Sequence, residues 1–229
     1  SRSVIAVSRQ AAVSAQQFYG LAADSIRVIA NPVDITQVRE ASSGPRPPRD
    51  DRPTFACVGR MTEEKGHRDL LTALTHLPKD FPPATFWLIG DGPLRAELEE
   101  SWKSIRCRHR VEFLGSVPNA AAAIAAADAL VLPSHFEGMP NVVLESMALG
   151  TPVIATRAGG TVELERDEPT IVWAEPSDAG SLAAAIAEFA TDRPAAERRV
   201  EAARRLIATH HDVAATTRVI EDLLEHSCK

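Results

Sequence analysis

Two apolar runs, Ala129–Pro133 (ALVLP) and Pro152–Thr156 (PVIAT), flank a single helix-length segment, and this arrangement narrows the available folds more than anything else in the chain. Short runs that are apolar at every position read as strands buried on both faces, as in a parallel sheet. Parallel strands need a crossover, and the intervening residues carry one. Pro140 suits the first helical position, and Gly150 suits the residue just past the helix end. The unit is strand–loop–helix–strand. It puts two carboxylates, Glu137 in the loop and Glu145 in the helix, at the carboxyl edge of the sheet, where open α/β folds bind ligands. Such a site suits a ligand with an anionic part and a hydroxyl-rich part.

The same alternation extends through most of the sequence. Strands are expected at Thr54–Gly59, Ala84–Gly90, Val111–Gly115 and Thr170–Ala174, with helical periodicity between them. Leu70, Leu71, Leu74 and Leu77 form one helical face, Leu94, Leu98, Trp102 and Ile105 a second, and Leu182, Ile186 and Phe189 a third. Strands alternating with helices predict a Rossmann-like, doubly wound parallel α/β sheet over about Asp51–Thr191. Ser42–Pro53, dense in proline and charge, reads as a linker. Ahead of it, Ser3–Ser8 is a strand, Ala11–Tyr19 a short helix, and Ser25–Ile29 a strand running into the turn ANPVD. Val213, Ile220, Leu223 and Leu224 mark a C-terminal amphipathic helix.

Length and charge set outer bounds. With 229 residues and 45% hydrophobic content, the chain holds one large domain, or one domain and a fragment of another. A formal charge of −6 argues against a nucleic-acid partner. Cys57, Cys107 and Cys228 have neither disulfide nor metal spacing, which points to a reducing cytoplasm. No run is long and apolar enough for a transmembrane segment, so any membrane association is peripheral, at the inner face. No signal peptide opens the sequence.

A second polar group sits in VGRMTEEKGHRDLL. Arg60 follows the strand that ends at Gly59, and Lys65 immediately precedes a helix starting near Gly66, so both cations project into the carboxyl-edge crevice beside a helix N-terminus. Taken alone, this segment is equally a solvated loop with two surface cations. GDGPLRA at Gly90–Ala96 imitates a dinucleotide fingerprint, but the next strand ends in Leu-Gly where the ribose-binding acid belongs; Gly90 and Gly92 are read as turn residues bordering the pocket. Gly159 and Gly160 fit either a close approach to a ligand or a plain tight turn. His67 is placed on the helix surface, His135 outside the pocket, and His210 and His211 at the end of an Arg-rich solvated helix. None has metal-ligand spacing.

EGMPNVVLESMALGTPV closely resembles the donor-binding signature of family-4 retaining glycosyltransferases of the GT-B fold, with Ser146 in place of the usual Ala. The segment from Gly59 to Gly66 matches that family's G-R-x-x-x-x-K-G motif. The resemblance implies a nucleotide-sugar donor, UDP- or GDP-linked, with no separate cofactor. Arg60 and Lys65 would hold the diphosphate, Glu145 the ribose hydroxyls, and Glu137 the donor sugar beside the anomeric centre. Backbone groups of Gly59 and of the Gly138, Met139 and Asn141 turn would line the phosphates, and Val117 would meet the base. The chain has no Asp-x-Asp pair to hold a metal, so the charge of the leaving diphosphate falls to Arg60, Lys65 and the turn N–H groups. Metal-independent chemistry is expected, and no metal ligand is assigned.

The resemblance also divides the chain. Residues 1–38 correspond to the tail of an N-terminal acceptor domain and its hinge, where Pro32 replaces the Gly of the family's N-G-V-D turn; residues 39–53 are the linker; residues 54–210 form the donor-binding domain. Residues 211–229 would be a helix docking on the N-terminal domain, although an ordinary packed terminal helix fits as well. A sugar or lipid-linked acceptor would be presented by the rest of that domain, without which the isolated chain is expected to be inactive. The family's catalytic histidine lies there and has no assigned equivalent. The alternative reading is a non-catalytic nucleotide or nucleotide-sugar binding module. A sugar-nucleotide epimerase on a similar fold lacks support from the Gly-Met-Pro-Asn turn.

Overall fold

The computed structural model describes residues 4–227, with side chains to residue 225. Ser3, placed above in the first strand, and Cys228 lie outside them. The chain opens with β1 (Val4–Ala6), α1 (Arg9–Tyr19) and β2 (Ile26–Val28), the two strands pairing in parallel as a small separate sheet. Ser8 caps α1, its side chain accepting from the Ala11 N–H.

Six further strands form one parallel sheet: β3 (Thr54–Val58), β4 (Thr85–Ile89), β5 (Arg110–Gly115), β6 (Ala129–Leu132), β7 (Val153–Thr156) and β8 (Val172–Ala174). Their spatial order is β5-β4-β3-β6-β7-β8. The winding therefore reverses between β3 and β6, the topological switch point of a doubly wound fold. The pairing there is short. β3 and β4 share five register pairs from Thr54↔Thr85 to Val58↔Ile89, whereas β3 and β6 share Phe55↔Ala129 and Ala56↔Leu130.

Side-chain alternation explains both covering layers. Phe55, Cys57, Phe86, Leu88, Ala129, Val131 and Ile154 face α3 (His67–His76) and α7 (Ala179–Thr191), which bring Leu70, Leu71, Leu74, Leu182 and Ile186. Leu130, Leu132, Val153 and Ala155 face the opposite way, onto α6 (Asn141–Leu149) and α8 (Arg193–His210), with Val143, Leu144, Met147, Leu206 and Ile207. Trp87 and Ile89 complete that side with Ala123 of α5 (Ala121–Ala126). Each fully buried side chain of this size contributes about 1.5–3 kcal/mol. The helix α4 (Arg95–Ser104) buries Leu98, with Leu94 and Trp102 packed on the same core.

A further helix, α2 (Ile35–Ala41), is capped by Asp34, which accepts from the Gln37 N–H at 2.9 Å, and packs on α5 and α6. Residues 39–41 thus finish a helix, and the irregular segment starts at Ser42. The last helix, α9 (Val213–Ser227), follows α8 after His211 and Asp212. No helix among the described residues is long and apolar enough to cross a membrane.

Candidate functional site

The loops after β3 and β6 meet at the switch point. Lys65, in a single 3-10 turn before α3, reaches across it: its Nζ lies 2.6 Å from Glu137 Oε1. Ser134 donates its hydroxyl to the same oxygen at 2.7 Å, and the Thr156 hydroxyl donates to the Ser134 carbonyl. Glu137 is only 8% exposed, so this is a buried carboxylate with two donors on one oxygen. Its Oε2 has no hydrogen-bond partner among the described residues. The spacing of the two motifs placed both groups at one sheet edge; nothing in the sequence showed that they touch.

Arg60 is exposed in the loop just after β3. Its charge and that of Lys65 both reach Glu64, whose carboxyl is held below its ordinary range chiefly by a hydrogen bond from the Thr62 hydroxyl, with the two cations adding to the effect. Glu145 lies in the second turn of α6, half-buried and without a hydrogen-bond partner among the described residues. Burial pushes its carboxyl above the usual glutamate value. An unpaired acid held in this way gains from any hydroxyl donor that reaches it.

The turn between the two acids is clamped from several sides. Pro140 is the N-cap of α6 rather than its first helical residue, and neither α6 nor α3 has a side-chain cap, which leaves first-turn N–H groups unclaimed on both sides of the crevice. Gly160 donates its N–H to the Glu137 carbonyl at 2.9 Å. A Cβ on Gly160 would lie 1.8 Å from the Gly138 carbonyl oxygen, so close backbone approach, not a plain turn, is what requires glycine here. Gly66 has φ +65 and would drive a Cβ to 2.0 Å from the Pro133 carbonyl, which fixes how tightly the two loops meet. The turn after β4 seats on Gly59–Met61: Gly59 donates to Ile89, Met61 to Asp91, and Leu94 to Met61. Val117, half-buried, packs beside Trp87 and Ile89 at the same edge.

His67 and His211 differ from their sequence reading, whereas His210 is exposed as read. His67 is 1% exposed, and both ring nitrogens lack partners. Burial, with Lys65 nearby, pushes its imidazole down to about 4, so it is neutral. His135 pairs with Asp69 at 2.6 Å and donates its backbone N–H to Glu64, tying the signature loop to α3. His211 is buried, its Nδ1 against the Asn31 carbonyl at 2.8 Å; burial lowers its imidazole and that hydrogen bond partly offsets the shift. Cys57, beneath the crevice, is pushed up to about 12 by burial and remains a thiol. Sequence reasoning passed over Ser134, whose hydroxyl reaches Glu137 three residues on within the same loop, and Thr156 and Asn31, whose partners lie far along the chain. A cleft of about 900 Å³ opens at the opposite edge, by the amino ends of β3, β6 and β7, among Phe55, Phe81, Phe189, Asp128, Pro152 and Arg204. It contains none of these polar groups.

The sequence profile of the family described as glycosyl transferases group 1 matches residues 38–206, about three quarters of the chain. The chain belongs to this family. It is 33% identical over 198 residues to glycogen synthase of Mycobacterium tuberculosis, covering 86% of this chain and 47% of that protein. With the lipopolysaccharide core biosynthesis glycosyltransferase LpsE of Rhizobium meliloti it shares 32% identity over 176 residues, covering 77% of this chain and 51% of the relative. The chain thus spans about half the length of these group 1 relatives. Among solved structures, Anabaena Alr3699/HepE in complex with UDP-glucose superposes with a TM-score of 0.84 at 23% identity, covering 99% of this chain and 64% of that one. The six-stranded parallel sheet is that of GT-B glycosyltransferase structures.

Proposed function

We propose that this chain is the donor-binding half of a retaining, metal-independent glycosyltransferase that uses a UDP-sugar. The observation that carries the reading is the Lys65–Glu137 pair at the switch point, with Arg60 and the unpaired Glu145 on the same edge. Arg60, Lys65 and the unclaimed N–H groups at the starts of α3 and α6 take the diphosphate, whose charge grows as the sugar leaves. Each charge-assisted contact is worth about 1.5–3 kcal/mol. Glu145 accepts from the ribose hydroxyls. Lys65 and Ser134 occupy Oε1 of Glu137, leaving Oε2 to face the donor sugar and stabilise the positive anomeric carbon during front-face transfer.

Two comparisons support the donor assignment. The Anabaena neighbour was solved with UDP and with UDP-glucose. Relatives named for different products and acceptors, among them glycogen synthase and the 2-deoxystreptamine glucosyltransferase of Streptomyces kanamyceticus, share this same half. A facing domain presents the acceptor; Val4, Ile5 and Val28 of the small sheet are exposed apolar residues that it covers. Isothermal titration of the chain with UDP, GDP and ADP tests the reading. UDP is expected to bind with the same affinity with or without EDTA. No heat with any of the three, or binding that disappears in EDTA, would overturn it.

A further inference from the structure

Residues 31–33, leaving β2, run beside residues 211–212, leaving α8. Val33 and Asp212 form a parallel bridge, and the Val33 N–H donates to the His211 carbonyl at 2.8 Å. The Asn31 carbonyl can only accept, so the proton of this imidazole sits on Nδ1, which donates to it at 2.8 Å. The Asn31 side chain points the other way. Its Nδ2 donates to the Met139 carbonyl at 3.0 Å and to Asn141 Oδ1 at 2.8 Å. Because the Met139 carbonyl is an acceptor only, the orientation of the amide is fixed. Its two partners flank Pro140, which has no N–H with which to brace the turn itself.

We propose that Asn31 is a positioning residue of the donor site: its amide sets the Met139–Asn141 turn, and His211 holds Asn31 in place. This rests on the donor-binding reading above. The α6 N-terminus and the loop carrying Glu137 are thereby joined through one amide to the place where the chain crosses out of the sheet domain and back. Strain at the crossing moves Asn31, and the turn N–H groups that meet the diphosphate move with it. Groups that hold the nucleoside, Glu145 in the second turn of α6 and Val117 after β5, lie outside this linkage.

The test uses the whole chain, titrated with UDP and with uridine, beside a thermal melt of each variant. Asn31→Asp keeps the shape but replaces the Nδ2 donor group with an acceptor oxygen facing the Met139 carbonyl and Asn141 Oδ1. It is expected to weaken UDP about tenfold to a hundredfold, to leave uridine unchanged, and to keep a cooperative melt. His211→Leu, which loses the Nδ1 donor, weakens UDP in the same direction; His211→Gln, which keeps an N–H donor, restores it. Asn31→Asp combined with His211→Leu loses no more than Asn31→Asp alone. If Asn31→Asp stays folded and binds UDP normally, the proposal is overturned. Equal loss of UDP and uridine, or unfolding of every Asn31 and His211 variant, assigns the pair to structure alone and overturns it too. Failure of the unaltered chain to bind any nucleoside diphosphate removes the donor reading itself, a result distinct from all of these.

Discussion

Removing Lys65 should cost stability that removing Glu137 as well gives back. Glu137 is 8% exposed, and its Oε1 accepts from Lys65 Nζ at 2.6 Å and from the Ser134 hydroxyl at 2.7 Å. Lys65→Met leaves a buried carboxylate with one neutral donor. Breaking a buried pair from one side costs about 3–5 kcal/mol. The Lys65 side chain is 27% exposed, so solvent screens part of the pair and Ser134 retains part of the carboxylate's stabilisation. A loss of roughly 2–3 kcal/mol is expected. Glu137→Gln alone costs less, since its amide oxygen still accepts from Ser134 and Lys65 can turn to water. The double variant should then be more stable than the sum of the singles by about 1–2 kcal/mol. Urea unfolding of the four proteins measures this, provided that m is the same in each. Single effects that add to within about 0.5 kcal/mol would refute the coupling and leave Lys65 an ordinary surface cation.

Three further outcomes follow from the same geometry. Glu145→Gln removes a desolvated charge, so it should raise the melting temperature of the free chain at neutral pH while weakening UDP about tenfold; because the ionised acid is the proposed acceptor of the ribose hydroxyls, affinity in the unaltered chain should fall as pH drops toward its raised pKa, and calorimetry on Glu145→Gln should show that slope flattened. Gly160→Ala puts a Cβ 1.8 Å from the Gly138 carbonyl and 2.6 Å from Ser8 Oγ, so the turn must move; a destabilisation of about 1–3 kcal/mol and loss of UDP binding are expected, and unchanged titrations would count against the site. The His67 pKa of about 4 lies below its unfolded value of 6.5, so the unfolded chain takes up protons first and stability falls as pH is lowered through that window, by roughly 3 kcal/mol from this group; urea melts of His67→Phe should show a correspondingly shallower fall.

The elements were legible because their signals are local. Buried strands of continuous apolar residues, helices with leucines at helical spacing, and the Gly150 cap each declare themselves within a few residues. What escaped was tertiary. Lys65 and Glu137 are 72 positions apart, and the loops that join them carry no mark of contact. His67 falls on the same helical face as Leu70, Leu71 and Leu74, so its burial follows from the periodicity, although the sequence reading places it on the helix surface. The His211 imidazole, read as the solvated end of an Arg-rich helix, is buried because the chain turns back beside Val33. Asn31 had only a turn motif to announce it, and its partners lie more than a hundred residues away.

The strand order divides the sheet into two consecutive blocks, β3–β5 and β6–β8, that meet only along the short β3–β6 seam. Lys65 and Arg60 belong to the first block, Glu137 and Glu145 to the second. A break in the chain at Ser116–Asn119, after the last strand of the first block, would therefore yield two fragments, each carrying one sign of the site's charge. On the donor-site reading proposed above, neither fragment alone would hold a nucleoside diphosphate. Its capture would mark reassembly, making this crevice a built-in sensor of whether the two fragments have found each other.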